Sequence, residues 1–337
     1  MKVAEVLAAI PRLSVLVVGD VCLDRWCRYE PDFAEPSRET GLPRVAVVEM
    51  ERSPGGAGNV ATNVAALGAG QVTVLGTVGD DGHAVELREA LRARCITAEL
   101  VADRGGLTFT YTKLINRATG VEDLPRIDFL SAGERPAEVE GRLLKRFEEL
   151  APRFDVVIVS DQMEQGSGGV VTSGMRQVLA QFAEAHPETV VWVDSRVRSE
   201  LFRYVLVKLN EDEAAEACSR IGLAGDYDGL RRHVGQRCMI VTRGRAGAVV
   251  VTPAGQIVVP GRIVEHPTDI CGAGDSFNAG GAMALRITGD PVEAARFGNL
   301  VASITVTKPG TGTSSPEELL TAVEGHEEEC ASSNNAG

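Results

Sequence analysis

The sequence predicts an α/β fold: a mostly parallel sheet with helices on both faces and a small β-sheet inserted in the N-terminal half. Three observations predict it. Short β-branched runs alternate with helix-length amphipathic stretches. Most of those runs end in a polar residue or glycine. Two stretches, near 26–50 and 108–130, break the rhythm with alternating apolar and polar residues.

The elements follow in chain order. Residues 1–10 read as a short amphipathic helix, and 15–18 as a buried strand ending in Gly19-Asp20. Pro31, Pro36 and Pro43 then interrupt the chain before the alternating strand 45–50. Helix 57–67, strand 72–75 and helix 84–94 restore the βα rhythm. Residues 108–115 and 126–130 read as two more exposed strands joined through a turn at Thr119-Gly120. These exposed strands suit an antiparallel sheet with one open face, standing beside the main sheet as a lid. Helices 138–150, 170–185 and 211–218 alternate with strands 156–159, 190–193, 204–209, 239–241 and 248–251. A last helix is read at 276–286. The expected organisation is one domain, 1–325, with lid segments at about 21–54 and 106–130, then a disordered acidic and polar tail at 326–337.

Asp20, Ser160-Asp161, Asp194, Asn210 and Thr242 all follow strands. Ligands of open α/β sheets bind beyond the carboxyl ends of the strands, so a polar cleft is expected there. Taken singly, each of these residues could merely cap the next helix.

Composition narrows the classes. The 337 residues carry 34 Lys plus Arg against 47 Asp plus Glu, a formal charge of −13, which argues against a general nucleic-acid binder. With 44% hydrophobic and 24% charged residues the chain is an ordinary globular mix. No stretch approaches the roughly 18 apolar residues of a membrane span. No signal peptide is read, and the expected location is cytoplasmic. The seven scattered cysteines contain no C-x-x-C and read as reduced thiols.

The most informative segment is Asp269-Ile270-Cys271-Gly272-Ala273-Gly274-Asp275, just before a helical run. Amides of Gly272, Ala273 and Gly274 can point at one anion, aided by the helix dipole. Asp275 falls on the first turn, where the dipole should keep it ionised and able to accept a hydroxyl proton. An anion cradle beside a carboxylate base is what phosphoryl transfer to an alcohol needs. The plainer reading is a Gly-rich turn with an acidic first-turn residue.

Gly55-Gly56-Ala57-Gly58-Asn59 allows close backbone approach and adds an amide. Gly56-x-Gly58-x-x-Ala61 also matches a dinucleotide fingerprint, but Pro54 and neighbours separate it from strand 45–50. No P-loop sequence occurs. Asn210 and Glu213 are spaced as a helix capping box or as a pair holding hydrated Mg²⁺. Arg126 and Arg196 could pair with a phosphate, or be solvated surface arginines.

These motifs together resemble the ribokinase-like (PfkB) family of sugar kinases, from about residue 15 to 314. The resemblance rests on Gly55 to Asn59, Asp269 to Asp275, Asn210-Glu211-Asp212-Glu213 and Val241-Thr242-Arg243-Gly244. It implies a three-layer α/β/α core with a β lid, and ATP- and Mg²⁺-dependent phosphorylation of a sugar or sugar-phosphate hydroxyl. Asp275 matches the base, and Gly272, Ala273 and Gly274 the anion hole. Asp24, Gly55, Gly56 and Asn59 match sugar-binding positions. Asn210 and Glu213 match the phosphate and magnesium motif. Thr242 and Gly244 match the nucleotide-phosphate loop, and Asn299 a position near adenine. Asp269, Gly310 and Ser314 fall where many relatives bind a monovalent cation such as K⁺.

Within the family the chain is most similar to the heptose 7-phosphate kinase branch, kinase portion only. The similarity runs through residues 17–25 and 54–61, Arg126-Ile127-Asp128-Phe129 and Ser160-Asp161. It implies a substrate site using Arg126, Asp128, Asp161 and Arg196, with D-glycero-D-manno-heptose 7-phosphate as the favoured acceptor. Gln162 and Gln165 stand where the branch has Tyr and Lys, and Lys208 where it has Thr, which leaves other acceptors open: fructose 6-phosphate, fructose, ribose or a nucleoside. An NAD-dependent oxidoreductase and a non-catalytic sugar or nucleotide sensor are the rival classes. Exposed apolar positions Val45, Val47, Phe109 and Tyr111 predict a homodimer through the lid.

Overall fold

The computed structural model describes residues 3–33, 35–131, 133, 135–164 and 168–324. The tail expected at 326–337, and Gln165, lie outside the described residues. The first half contains α1 (Val3–Ala9), β1 (Ser14–Gly19), β2 (Val21–Tyr29), β3 (Val47–Gly56), α2 (Ala57–Ala66), β4 (Gln71–Gly79), α3 (Gly82–Arg92), β5 (Thr97–Asp103), β6 (Thr110–Asn116), β7 (Ile127–Phe129) and α4 (Ala137–Leu150). The second half contains β8 (Val156–Asp161), α5 (Ser173–Ala185), β9 (Val190–Ser195), β10 (Leu206–Asn210), α6 (Glu211–Arg220), α7 (Tyr227–Val234), β11 (Met239–Thr242), β12 (Ala248–Thr252), β13 (Gly255–Val259), α8 (Ala273–Thr288) and α9 (Pro291–Thr305).

Nine strands form the main sheet in the order β13-β12-β11-β10-β9-β8-β1-β4-β5. Pairing is parallel from β11 through β5 and antiparallel across β11, β12 and β13. Side chains alternate across a strand, which divides the core in two. Val15 and Val17 of β1 join one apolar layer with Val60 and Val64 of α2, Phe277 of α8 and Phe297 of α9. Leu16 and Val18 join the other with Phe147 of α4, Met175 of α5 and Leu230 of α7. Runs such as Val156 to Val159 are fully buried because both faces are covered. The direction of strand addition reverses around β1, so the cleft opens at a topological switch point.

The lid is a four-stranded sheet, β3-β2-β6-β7, and it corrects the expected all-antiparallel arrangement: β2 and β6 run parallel. Elements β2, β5, β13, α7 and α9 are additions to those the sequence predicts. Strand β3 is also longer than expected. It passes through Pro54 and enters α2 directly, because an edge strand tolerates the missing amide hydrogen. Gly56 makes that junction with φ 56°, and a Cβ there would sit 2.2 Å from the Asp20 carbonyl oxygen. The Gly56 to Ala61 fingerprint therefore follows a lid strand, not the first core strand, which removes the context a dinucleotide site needs.

Among the described residues all six cysteines are free, and no helix is long and apolar enough to cross a membrane.

Candidate active site

Between lid and core lies a cleft of about 1110 Å³, room for two small ligands at once. Register explains how the lid delivers its side chains. Asp24 of β2 pairs with Tyr111 of β6, and Tyr111 with Asp128 of β7, so the three form a row facing the cleft. The same alternation corrects the reading of Phe109 and Tyr111 as open outer positions. Both line the cleft. Val45 lies outside β3, although it and Val47 are exposed.

On the core side, α8 begins at the cleft. Gly272 caps it in the left-handed region at φ 79°, and a Cβ there would crowd the Asn59 amide at 2.8 Å. Ala273 donates its N–H to the Ile270 carbonyl at 3.2 Å, so that amide of the expected cradle is engaged, while neighbouring first-turn amides lack intrahelical acceptors. Asp275 accepts a 2.6 Å hydrogen bond from the Asn59 side chain. Asn59 thus holds the carboxylate. The helix dipole is expected to favour the ionised form of Asp275, and burial works against it. Burial, with help from nearby Asp194, pushes its pKa to about 6, against the opposing pull of the Asn59 bond and the Lys208 and Arg196 charges. Asp24 is likewise pushed to about 6 by burial, opposed by Lys113 and Arg126.

Lys208 was missed as a site residue, and Asp194 is expected from the sequence only as one of the strand-end polar groups of the cleft. Lys208 is buried on β10 and lines the cleft, donating to Asp194 at 2.9 Å. Asp194 also accepts from Asn278 of α8, at 2.5 Å, which ties the helix that carries Asp275 to β9. A lysine inside the apolar run Val205 to Leu209 was the available signal, since a buried lysine needs a partner.

Asn210 and Glu213 form a reciprocal capping box at the start of α6, with bonds of 2.7 and 2.8 Å, and both still face the cleft. Their oxygen donors suit a hydrated Mg²⁺. Among the described residues no group of three or more His, Cys, Asp or Glu is placed to hold a metal unaided. Thr242, Gly244 and Asn299 line the same cleft, with Thr242 donating to the Leu209 carbonyl and Asn299 to that of Pro260.

Several predicted residues sit elsewhere or are already engaged. Asp161 is fully buried, bound by Arg198 at 2.6 Å and by the Ser195 hydroxyl at 2.6 Å, and does not line the cleft. Gly55 lies beneath Asp24, where a Cβ would be 2.3 Å from its carboxylate oxygen. It makes room for Asp24 and does not itself line the cleft. Ser314 is buried and bonded to the Val301 carbonyl, and it does not line the cleft as Asp269 and Gly310 do. Arg126 reaches the cleft already paired with Asp128 by two 2.7 Å bonds and lies over the Tyr111 ring. Arg196 is bound to Gln162 at 2.8 Å and Glu164 at 3.0 Å.

The geometry brings a carboxylate, first-turn helix amides and a buried cation to one end of a cleft large enough for two ligands. Comparison with known proteins bears on that arrangement. The family profile described as pfkB family carbohydrate kinase matches residues 12–318. The bifunctional protein HldE of Caulobacter sp. (strain K31) is 33% identical over 334 residues, a match covering 94% of this chain. The chain spans 64% of that relative's length. The ribokinase of Thermotoga maritima superposes with TM-score 0.66 at 22% identity, covering 93% of this chain and 99% of that one. Escherichia coli phosphofructokinase-2, in complex with potassium, superposes with TM-score 0.69 at 20% identity, covering 92% and 97%. At those identities the likeness shows the ribokinase-like fold. The chain belongs to the pfkB family of carbohydrate kinases, phosphotransferases that act on a sugar hydroxyl.

Proposed function

We propose that the cleft transfers the γ-phosphate of ATP to a hydroxyl of a sugar phosphate, with D-glycero-D-manno-heptose 7-phosphate as the favoured acceptor. The observation that carries this reading is Asp275, half-buried on the first turn of α8 and held by Asn59. Its carboxylate takes the proton of the acceptor hydroxyl as that oxygen attacks the γ-phosphorus and the bond to the β-phosphate oxygen breaks. A pKa near 6 suits a base working near neutral pH. First-turn amides of α8 and the Lys208 ammonium stabilise charge on the transferring group. Asp24, Gly56 and Asn59 hold the sugar, with Gly55 making room for Asp24. Thr242, Gly244 and Asn299 face the nucleotide. Mg²⁺, held through water by Asn210 and Glu213, would neutralise phosphate charge. Closure of the lid excludes water, which would otherwise accept the phosphoryl group.

The cationic face of the lid, Lys113 and Arg126, supports a phosphorylated acceptor. Gln162, which lines the cleft and holds Arg196, favours a second reading with a neutral acceptor such as ribose, fructose or a nucleoside. An ADP-release assay with ATP and Mg²⁺ across these sugars and fructose 6-phosphate separates them. Turnover only on neutral acceptors discards the heptose phosphate, and no turnover on any acceptor sinks the kinase reading.

The lid also supports a homodimer, since Val47, Val48 and Met50 of edge strand β3 are exposed together. Light scattering at working concentration is expected to give twice the chain mass, and a monomer refutes it.

A further inference from the structure

The cleft carries cations at two places. Those whose charge acts on Asp275 are Lys208 and Arg196, and those whose charge acts on Asp24 are Lys113 and Arg126. Lys208 stands at the start of α8, where a Cβ on Gly274 would lie 3.4 Å from its Nζ. Lys113 and Arg126 project from the lid.

Most of these cations are already taken. Lys208 is bound to Asp194, Arg126 to Asp128 by two bonds, and Arg196 to Gln162 and Glu164. Arg25, another lid cation at the cleft, is bound to Met50 and His83. Lys113 differs. Among the described residues its ammonium makes no hydrogen bond, and its one ion pair is with Glu122 at 3.9 Å, between side chains 39% and 38% exposed. Such a pair is weak and screened by water. The Lys113 charge also acts on Cys271, the residue before Gly272. This ammonium is reachable from solvent and available to an anion in the cleft.

Beside it stands an aromatic ring. Trp26 of β2 pairs in register with Lys113 of β6, so the two side chains rise from one face of the lid, and both line the cleft. Asp24 lies two residues before Trp26 and shares that face. Trp26 is half-buried, and among the described residues its ring has neither an aromatic nor a cationic partner. The Tyr111 ring, by contrast, is covered by Arg126, 4.9 Å from its centroid. A ring, a carboxylate and a free ammonium on one face suit a sugar that carries an anion. Its C–H face packs on the indole, its hydroxyls donate to Asp24, and the anion accepts from the ammonium.

We infer, on the kinase reading above, that Trp26 and Lys113 select a phosphorylated sugar as acceptor, the sugar packing on the Trp26 ring and its resident phosphate pairing with Lys113. A neutral sugar would leave Lys113 unused, and a nucleoside would use the ring alone.

Lys113→Met and Trp26→Leu in the full chain test this. Calorimetry without ATP measures binding of D-glycero-D-manno-heptose 7-phosphate, the unphosphorylated heptose and adenosine. At pH 8 Asp24, with its pKa of about 6, stays ionised in both variants. Lys113→Met should weaken binding of the heptose phosphate roughly tenfold or more and leave the unphosphorylated heptose nearly unchanged. Lys113→Arg keeps the charge and should restore most of that loss. In steady-state assays the loss should appear in KM far more than in kcat. Trp26→Leu should weaken both heptoses several-fold. Trp192, the other tryptophan, is fully buried and does not line the cleft, so the emission change on adding heptose phosphate should vanish in Trp26→Leu. An equal loss for both heptoses in Lys113→Met overturns the inference, because Lys113 would then act only through Asp24. Unchanged heptose phosphate binding in either variant overturns it, as does a wild-type protein that binds the heptose phosphate no more tightly than the heptose. Adenosine bound more tightly than the heptose phosphate overturns it too, and its loss in Trp26→Leu would give the ring to a nucleobase. If Trp26→Leu does not fold, Trp26→Phe removes the same emission and is read in its place, with a smaller loss expected for both heptoses. Heptose phosphate binding without any phosphoryl transfer from ATP would refute the kinase reading while still deciding the role of these two residues.

Discussion

Replacing Asp275 by asparagine separates catalysis from stability in a way the structure makes quantitative. The amide keeps the size of the side chain, and its oxygen can still accept the Asn59 hydrogen bond now made at 2.6 Å. What disappears is the proton acceptor. General-base catalysis contributes about 10² to 10⁴ in rate, or about 2.7 to 5.4 kcal/mol, so kcat should fall by two to four orders of magnitude. Stability should move the other way. The folded pKa of about 6 lies above the ordinary value of 3.8, so the unfolded chain ionises first. As pH rises from about 4 through 6, the wild-type fold therefore loses stability to this group, and at pH 7 it carries the full penalty. The substituted amide has no charge to bury, so Asp275→Asn should melt at or above the wild-type temperature at pH 7 and converge with it near pH 4. Coupled ADP release and scanning calorimetry at both pH values measure the two effects. Near-normal turnover refutes the assignment of the base, and a lower melting temperature at pH 7 refutes the account of its environment.

Two further outcomes follow from the same geometry. The rate of the wild-type enzyme should fall as pH drops through about 6, because Asp275 and Asp24 both protonate there, and a pH–rate profile flat down to pH 4.5 contradicts this. Phe147→Ala, which empties a fully buried position in the layer between α4 and the sheet, should cost about 3 to 5 kcal/mol in urea unfolding and leave kcat of the folded protein nearly unchanged, because Phe147 does not line the cleft.

Much of the site was legible because its signals are local. Glycines ahead of a helix, an acid on its first turn and polar residues after β-branched runs are read from neighbours in the chain. The lid was legible as a disturbance of rhythm, though not in its parallel pairing of β2 with β6, which joins residues far apart in sequence. Strands β5 and β13 escaped notice because both lie at the edges of the main sheet, where mixed polar and apolar composition weakens the pattern.

By itself the sequence determined the α/β class, the order of its elements, the helix start that presents Asp275, and the family. Those depend on periodicity, capping and small residues over short spans. Only the tertiary structure decided what each polar side chain is free to do. Asp161 looks like a ligand group after a strand until Arg198 and Ser195 are found to occupy it. Lys208 looks like an intruder in a strand until Asp194 is found opposite. Arg135 has no motif at all, and its Nε–H, buried and without an acceptor among the described residues, is visible only once the chain has folded around it. Burial and hydrogen-bond pairing arise between distant segments, and they set both the acidity and the availability of a functional group.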